Sequence, residues 1–266
     1  MQHLSHATSV TIERTDNMNI SKIRIVAQDE ILRGVKSKHV WFFSSALAFI
    51  CILAMHYSTS LAFLFSDPGK IPFTYISFMI ILIIGPFFIL VTAFDSISNE
   101  VENGTVRYII SKIDRASFVL GKFCFLFLIF ALLNLVVAIV GQVDNYTSGN
   151  AFDLEKMILF WFFSSLYLGC FISLFSFVSI LSGNNKIAFT MSAVLLGITI
   201  YFFMQGGIEY LRYLTPPYYA FAVSETMKNT SGESDYFNII KNFFSMLVFI
   251  IVTLSIDVLA FKRRDL

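Results

Sequence analysis

The sequence predicts an all-α integral membrane fold. It has six transmembrane helices, an N-terminal amphipathic interfacial helix, and a short cytoplasmic helix between spans two and three. Three observations carry this reading. Hydrophobic residues fill 56% of the 266 positions and charged residues only 14%, against about 25% charged in soluble domains. Phenylalanine alone occurs 31 times, which a water-soluble core of this length has no use for. Six apolar runs reach the roughly 20 residues that a bilayer crossing requires. This composition excludes a water-soluble enzyme, and mean hydropathy is +0.73.

The spans are expected at about 41–60, 72–94, 123–143, 157–181, 187–206 and 242–261. They form one membrane domain over 18–266, preceded by a polar tail, 1–17, with no apolar core of a cleavable signal peptide. The second run contains Gly85-Pro86, which is expected to interrupt its helix. A Ser182-Gly183-Asn184-Asn185-Lys186 turn joins the fourth span to the fifth. Cys51, Cys124 and Cys170 all stand inside apolar runs without CxxC spacing, so they are expected to be small core hydrophobes, not disulfides or metal ligands.

Lys and Arg set the orientation. Fourteen of the 19 fall in the segments 1–39, 95–122, 182–186 and 262–266, which six spans place on one side. The other side has Lys70, Lys156, Arg212, Lys228 and Lys241. The positive-inside rule therefore puts both termini in the cytoplasm of a cell carrying this chain in its cytoplasmic membrane. A net charge of +1 excludes a strongly basic nucleic-acid binder.

Four features stand out beyond the spans. From Ile20 to Lys38, helical spacing gathers Ile20, Ile23, Ala27, Ile31 and Val35 on one face, while Lys22, Arg24, Asp29, Arg33 and Lys36 supply its charge. A basic amphipathic helix of this kind lies on the lipid surface. The cytoplasmic connection 95–122 is too long for a hairpin. Its Val106, Tyr108, Ile109 and Ile110 suit a short helix that docks on a protein or on the membrane surface. The external segment 206–241 carries Pro216-Pro217 followed by Tyr218-Tyr219-Ala220-Phe221-Ala222-Val223. That stretch is too short to cross and fits a re-entrant or interfacial element, with Pro216, Pro217 and Tyr218 as candidate gate residues, or an exposed loop with belt tyrosines. Asp257 lies about four residues inside the cytoplasmic end of span six, with Lys262 and Arg263 near enough for the carboxylate to be paired or wet. An intramembrane acid is a functional candidate, although a structural role is expected first at this shallow depth. Asn134, Gln142, Ser164 and Ser165 are candidate pathway liners or interhelical hydrogen-bonding groups.

The 95–122 loop, the six spans and the C-terminal Phe261-Lys262-Arg263-Arg264-Asp265-Leu266 together resemble the permease subunits of ABC transporters of the ABC-2 type. In that family the loop reads Glu-x-x-x-Gly-Thr, an aliphatic run, Ser, Pro-x-x-Arg, then Gly-Lys leading into span three. The matching residues are Glu100, Gly104, Thr105, Ile109, Ile110, Ser111, Arg115, Gly121 and Lys122. The family's proline step is absent and Lys112-Ile113-Asp114-Arg115 replaces it. The resemblance implies a coupling helix seated on a separate ATPase, with Glu100, Glu102, Gly104, Thr105, Arg107 and Arg115 at the contact. It implies a second permease copy, identical or homologous, and transport that is export in most relatives. No GxxxxGK[ST] phosphate loop stands in these residues, so the permease reading assigns ATP and magnesium to the partner subunit and none to this chain.

Rival classes are weaker. An intramembrane protease needs a catalytic set at membrane depth. His56 and Asp257 lie at opposite ends of the spans, and no HExxH is present. A secondary transporter calls for paired helix breaks, and Gly85-Pro86 has no counterpart in the other half. A membrane anchor or signalling partner of an ATPase that moves no substrate fits the same sequence. Met55, Met191 and Met204 are dispersed and read as packing residues, not copper ligands.

Overall fold

A computed structural model of the chain describes residues 38–57, 73–111, 113–147, 153–204, 209–228 and 236–264. Its helices are α1 (Lys38–His56), α2 (Phe73–Ala93), α3 (Ser98–Glu102), α4 (Thr105–Ile110), α5 (Arg115–Thr147), α6 (Leu154–Leu181), α7 (Asn185–Met204), α8 (Glu209–Arg212), α9 (Pro216–Lys228) and α10 (Tyr236–Arg263). The polar tail 1–17 and the interfacial residues Lys22, Arg24, Asp29, Arg33 and Lys36 lie outside the described residues. Among the described residues, five helical runs are long and apolar enough to cross a membrane: Thr74–Glu102, Arg115–Thr147, Leu154–Leu181, Asn185–Met204 and Tyr236–Arg263. The apolar α1 packs against α2 and α5.

The bundle is built around α6, which contacts α2, α5, α7, α9 and α10. Every residue from 163 to 173 is buried. Asp153 starts this helix by accepting from the Lys156 amide at 3.1 Å. Small residues let the neighbours close in. A Cβ at Gly169 would stand 3.0 Å from the Phe127 ring on α5 and 3.3 Å from Ile250 on α10. Polar bridges add direction to the packing. The Trp161 indole donates to the Ala131 carbonyl at 2.8 Å, and the Ser173 and Thr253 hydroxyls lie 2.8 Å apart.

The structure corrects four sequence expectations. Gly85-Pro86 does not interrupt α2, which runs through Pro86 without a break. Pro86 has no N–H for the Leu82 carbonyl one turn back, and the buried Tyr167 hydroxyl of α6 donates to that carbonyl at 2.8 Å instead. A neighbouring helix thus repairs the ladder, as the apolar interior demands. The third span's helix begins at Arg115, well before the apolar run at 123. Asp114 caps it, accepting from the Ser117 amide at 3.1 Å and the Ser117 hydroxyl at 2.6 Å. Cys124 is exposed on the bundle surface, while Cys51 and Cys170 are buried. Ser164 and Ser165 donate back to the Trp161 carbonyl in their own helix and, among the described residues, form no bridge between helices.

The segment after α7 holds a buried element. Pro216 and Pro217 open α9 at the positions where a missing N–H costs nothing. Ala220, Val223, Ser224 and Met227 are fully enclosed as α9 packs against α2, α6, α7 and α10. At 13 residues and 1.5 Å each, α9 is too short to cross, so its stretch belongs to the bundle and is not an exposed loop.

Candidate functional site

The 95–122 connection folds into a rigid elbow at one end of the bundle. After α2 the chain makes a turn and forms α3. Gly104 then reverses direction with φ +69°, in the left-handed region that favours glycine. No atom lies within 4 Å of where its Cβ would be, so backbone conformation, not crowding, selects glycine here. α4 follows.

The inner side of the elbow is tied down by hydrogen bonds. The Ile97 and Ser98 amides, two donors with no partner in their own short helix, both donate to the Ser179 hydroxyl of α6, at 3.0 and 2.9 Å. The Ser98 hydroxyl donates to the Asn185 side-chain oxygen at 2.7 Å. The Asn185 side-chain amide reaches Asn99 at 3.3 Å. Glu102 accepts from the Asn185 backbone amide at 3.0 Å, where a carboxylate complements the α7 N-terminus. The turn expected at Ser182–Lys186 is therefore also the elbow's seat.

Beneath the elbow lies a small apolar core separate from the main one. It joins Ile97 and Val106 of the elbow to Phe118 and Val119 of α5, Ile180 of α6 and Phe261 of α10. The Phe118 and Phe261 rings stack at 5.6 Å. The aliphatic run Val106 to Ile110 thus anchors the elbow on the ends of three long helices.

Charge reinforces the same joint. Lys122 and Glu100 form an ion pair at 3.0 Å, with side chains only 7% and 14% exposed, and Lys122 lies 5.2 Å from the Phe118 ring centre. Arg115 donates from one nitrogen toward the carbonyls of Phe261, Lys262 and Arg264, at 3.2, 2.6 and 3.1 Å, closing the C-terminus of α10. Arg264 in turn donates to the Ile180 carbonyl at the end of α6. Burial pushes its guanidinium below the ordinary value.

These contacts sort the six residues of the sequence motif. Glu100 and Arg115 face inward and fasten the elbow. Glu102, Gly104, Thr105 and Arg107 are exposed, joined by Asn103 and by Tyr108 at 66% exposure. Sequence reasoning did not single out Ser179, Asn185 and Phe118. Their signal is the hydroxyl, amide and ring that the elbow's unpaired amides and apolar side require, but nothing in the linear order says which helix end supplies them.

The gate and pathway candidates are dispersed. Pro216 and Pro217 are buried at the start of α9, and Tyr218 packs edge-on to Tyr213 at 4.8 Å. Asn134 is buried on α5, and among the described residues its side-chain nitrogen and both amide atoms of Gln142 have no hydrogen-bond partner. Asp257 is fully enclosed, and neither carboxylate oxygen has a hydrogen-bond partner among the described residues. The sequence predicts this carboxylate to be paired with Lys262 or Arg263 or wet, and among the described residues it is enclosed instead. Lys262 and Arg263 sit in the last turn of α10, where the chain leaves the bundle, whereas Asp257 faces its neighbours one turn before Phe261. No group of three His, Cys, Asp or Glu side chains among the described residues can hold a metal ion.

Apolar helices around a buried central one, with polar and charged side chains gathered into an elbow at one end, define a multi-pass membrane protein. The family model for ABC-2 family transporter proteins matches residues 24–266. The chain belongs to that family and is a membrane component of ABC-type transport. No curated protein matches the sequence.

Proposed function

We propose that this chain is the six-span permease subunit of an ABC exporter in the cytoplasmic membrane, driven by ATP hydrolysed in a separate ATPase subunit. The elbow is the coupling element, and the observation that supports this reading is its division of labour. One side is fixed to α5, α6, α7 and α10 through Ser179, Asn185, Lys122 and the Phe118–Phe261 cluster. The other side presents Asn103, Thr105, Arg107 and Tyr108, while Glu102, exposed as it is, is engaged with the Asn185 amide. A push on the exposed side reaches four long helices together, and such coupling requires contacts that differ between two states. The positive-inside count puts the elbow and both termini in the cytoplasm. A second permease copy and lipid cover the apolar lengths of α7 and α10 that the bundle leaves open. Pro216, Pro217, Tyr218, Asn134 and Asp257 are the residues to probe along the transport path.

The test uses the exposed side, because changing Glu100 or Arg115 damages the fold itself. Arg107→Glu with Tyr108→Ala should abolish co-purification with the partner ATPase and ATP-driven flux in proteoliposomes, while the thermal midpoint of the chain stays unchanged. Full ATPase retention and flux in that double variant would remove the coupling role from the elbow. ATPase stimulation without any flux in the unmodified complex would favour a non-transporting anchor.

A further inference from the structure

We infer that Arg212 forms a binding site for a phosphate-bearing anion, the headgroup of an acidic phospholipid, at the membrane surface opposite the elbow. α7 leaves the elbow at Asn185 and ends at Met204. Its 20 residues at 1.5 Å each span about the hydrocarbon thickness of a bilayer. Arg212 ends the short helix α8, which packs against α7.

Its guanidinium lies close to two aromatic rings. The central carbon lies 5.5 Å from the Phe203 ring centre and 5.5 Å from that of Tyr218, both within cation–π range. The backbone around it is pinned. The Thr215 hydroxyl donates to the Arg212 carbonyl at 2.9 Å, and the Tyr219 hydroxyl donates to the Tyr213 carbonyl at 2.7 Å. Tyr213 also meets Tyr218 edge-on.

No acidic side chain among the described residues pairs with this cation, and its Nε is enclosed without an acceptor. With two rings beside it and no carboxylate among the described residues paired to it, the guanidinium keeps its terminal N–H donors for an anion. Arg takes phosphate oxygens in a two-pronged way. The surroundings favour a lipid. Tyr210, Met204 and Leu214 are 87%, 77% and 69% exposed, and aromatic and apolar side chains beside a cation suit the headgroup region.

The site is independent of ATPase docking, so its failure would leave the coupling reading intact. The test titrates the purified full chain with phosphatidylglycerol, with phosphatidylcholine, and with glycerol phosphate as the soluble headgroup, counting bound molecules by native mass spectrometry. One phosphatidylglycerol should bind with an affinity that Arg212→Gln weakens about tenfold or more, as expected for loss of a charged hydrogen bond. Arg263→Gln at the other surface should leave that molecule bound. Arg212→Lys, which keeps charge and loses the planar fork, should also weaken it. Phosphatidylglycerol held where glycerol phosphate and phosphatidylcholine are not identifies the lipid. Glycerol phosphate bound equally well identifies a soluble phosphate at the same arginine. Unchanged phosphatidylglycerol binding in Arg212→Gln, or in Arg212→Lys should the first variant fail to fold, overturns the site.

Discussion

Lys122 carries a positive charge at 7% side-chain exposure and is held there by Glu100 at 3.0 Å. Burying either group alone is costly, since removing one member of a buried pair leaves an uncompensated charge and destabilises by about 3–5 kcal/mol. Lys122→Ala should therefore lower the thermal midpoint of the purified chain sharply. The double change Lys122→Met with Glu100→Gln should recover most of the loss, because neither member of the pair is then left as an uncompensated buried charge. If both variants fall equally, the pair is not what holds these side chains inside. Of the motif residues, sequence identified Glu100 and Lys122 as important but gave Glu100 the wrong direction. A carboxylate in a polar loop is read as surface charge until the helix that returns beside it is placed. Asp257 went the same way. Its number in the chain puts it near Lys262 and Arg263, yet helical geometry turns it to a neighbouring helix instead.

At the scale of elements, the informative case is α2. A proline at mid-helix predicts a break, and only a donor from outside the helix can remove the reason for one. Tyr167 is that donor, to the carbonyl that Pro86 leaves unpaired. Tyr167→Phe keeps the ring and deletes the bond, stranding a buried carbonyl at a cost of about 1–3 kcal/mol. The variant should show a lower thermal midpoint with no change in helix content by far-ultraviolet circular dichroism. An unchanged midpoint would show that the Leu82 carbonyl needs no partner. The elbow teaches a related lesson. Its glycine, its aliphatic run and its mixed charges were all legible in sequence, and so was the presence of a short helix. The split into α3 and α4 about Gly104 and the extension of α5 back to Arg115 were not, because both depend on where Ser179 and Phe261 stand.

At the scale of the molecule, α6 is the shared wall of the bundle, and at Gly169 it is crowded from both sides. Phe127 and Ile250 face it from α5 and α10. Gly169→Ala should cost about 1–3 kcal/mol through overpacking, seen as a lower thermal midpoint, and full stability would mean that α5 and α10 are free to move apart there. The sequence by itself determined the class of the protein. Apolar run length, the Lys and Arg asymmetry and the Glu100–Thr105 motif are properties of the chain alone, because a bilayer imposes its thickness and charge rule on each segment separately. The tertiary structure decided which polar groups are buried in the joint and which are exposed. It turned Glu100 and Arg115 inward, left Arg107 and Tyr108 outside, bridged Pro86 with Tyr167 and set Arg212 beside two rings. Those outcomes depend on pairing distant residues in an apolar interior, where each donor and acceptor must find a partner from whichever helix packing brings near.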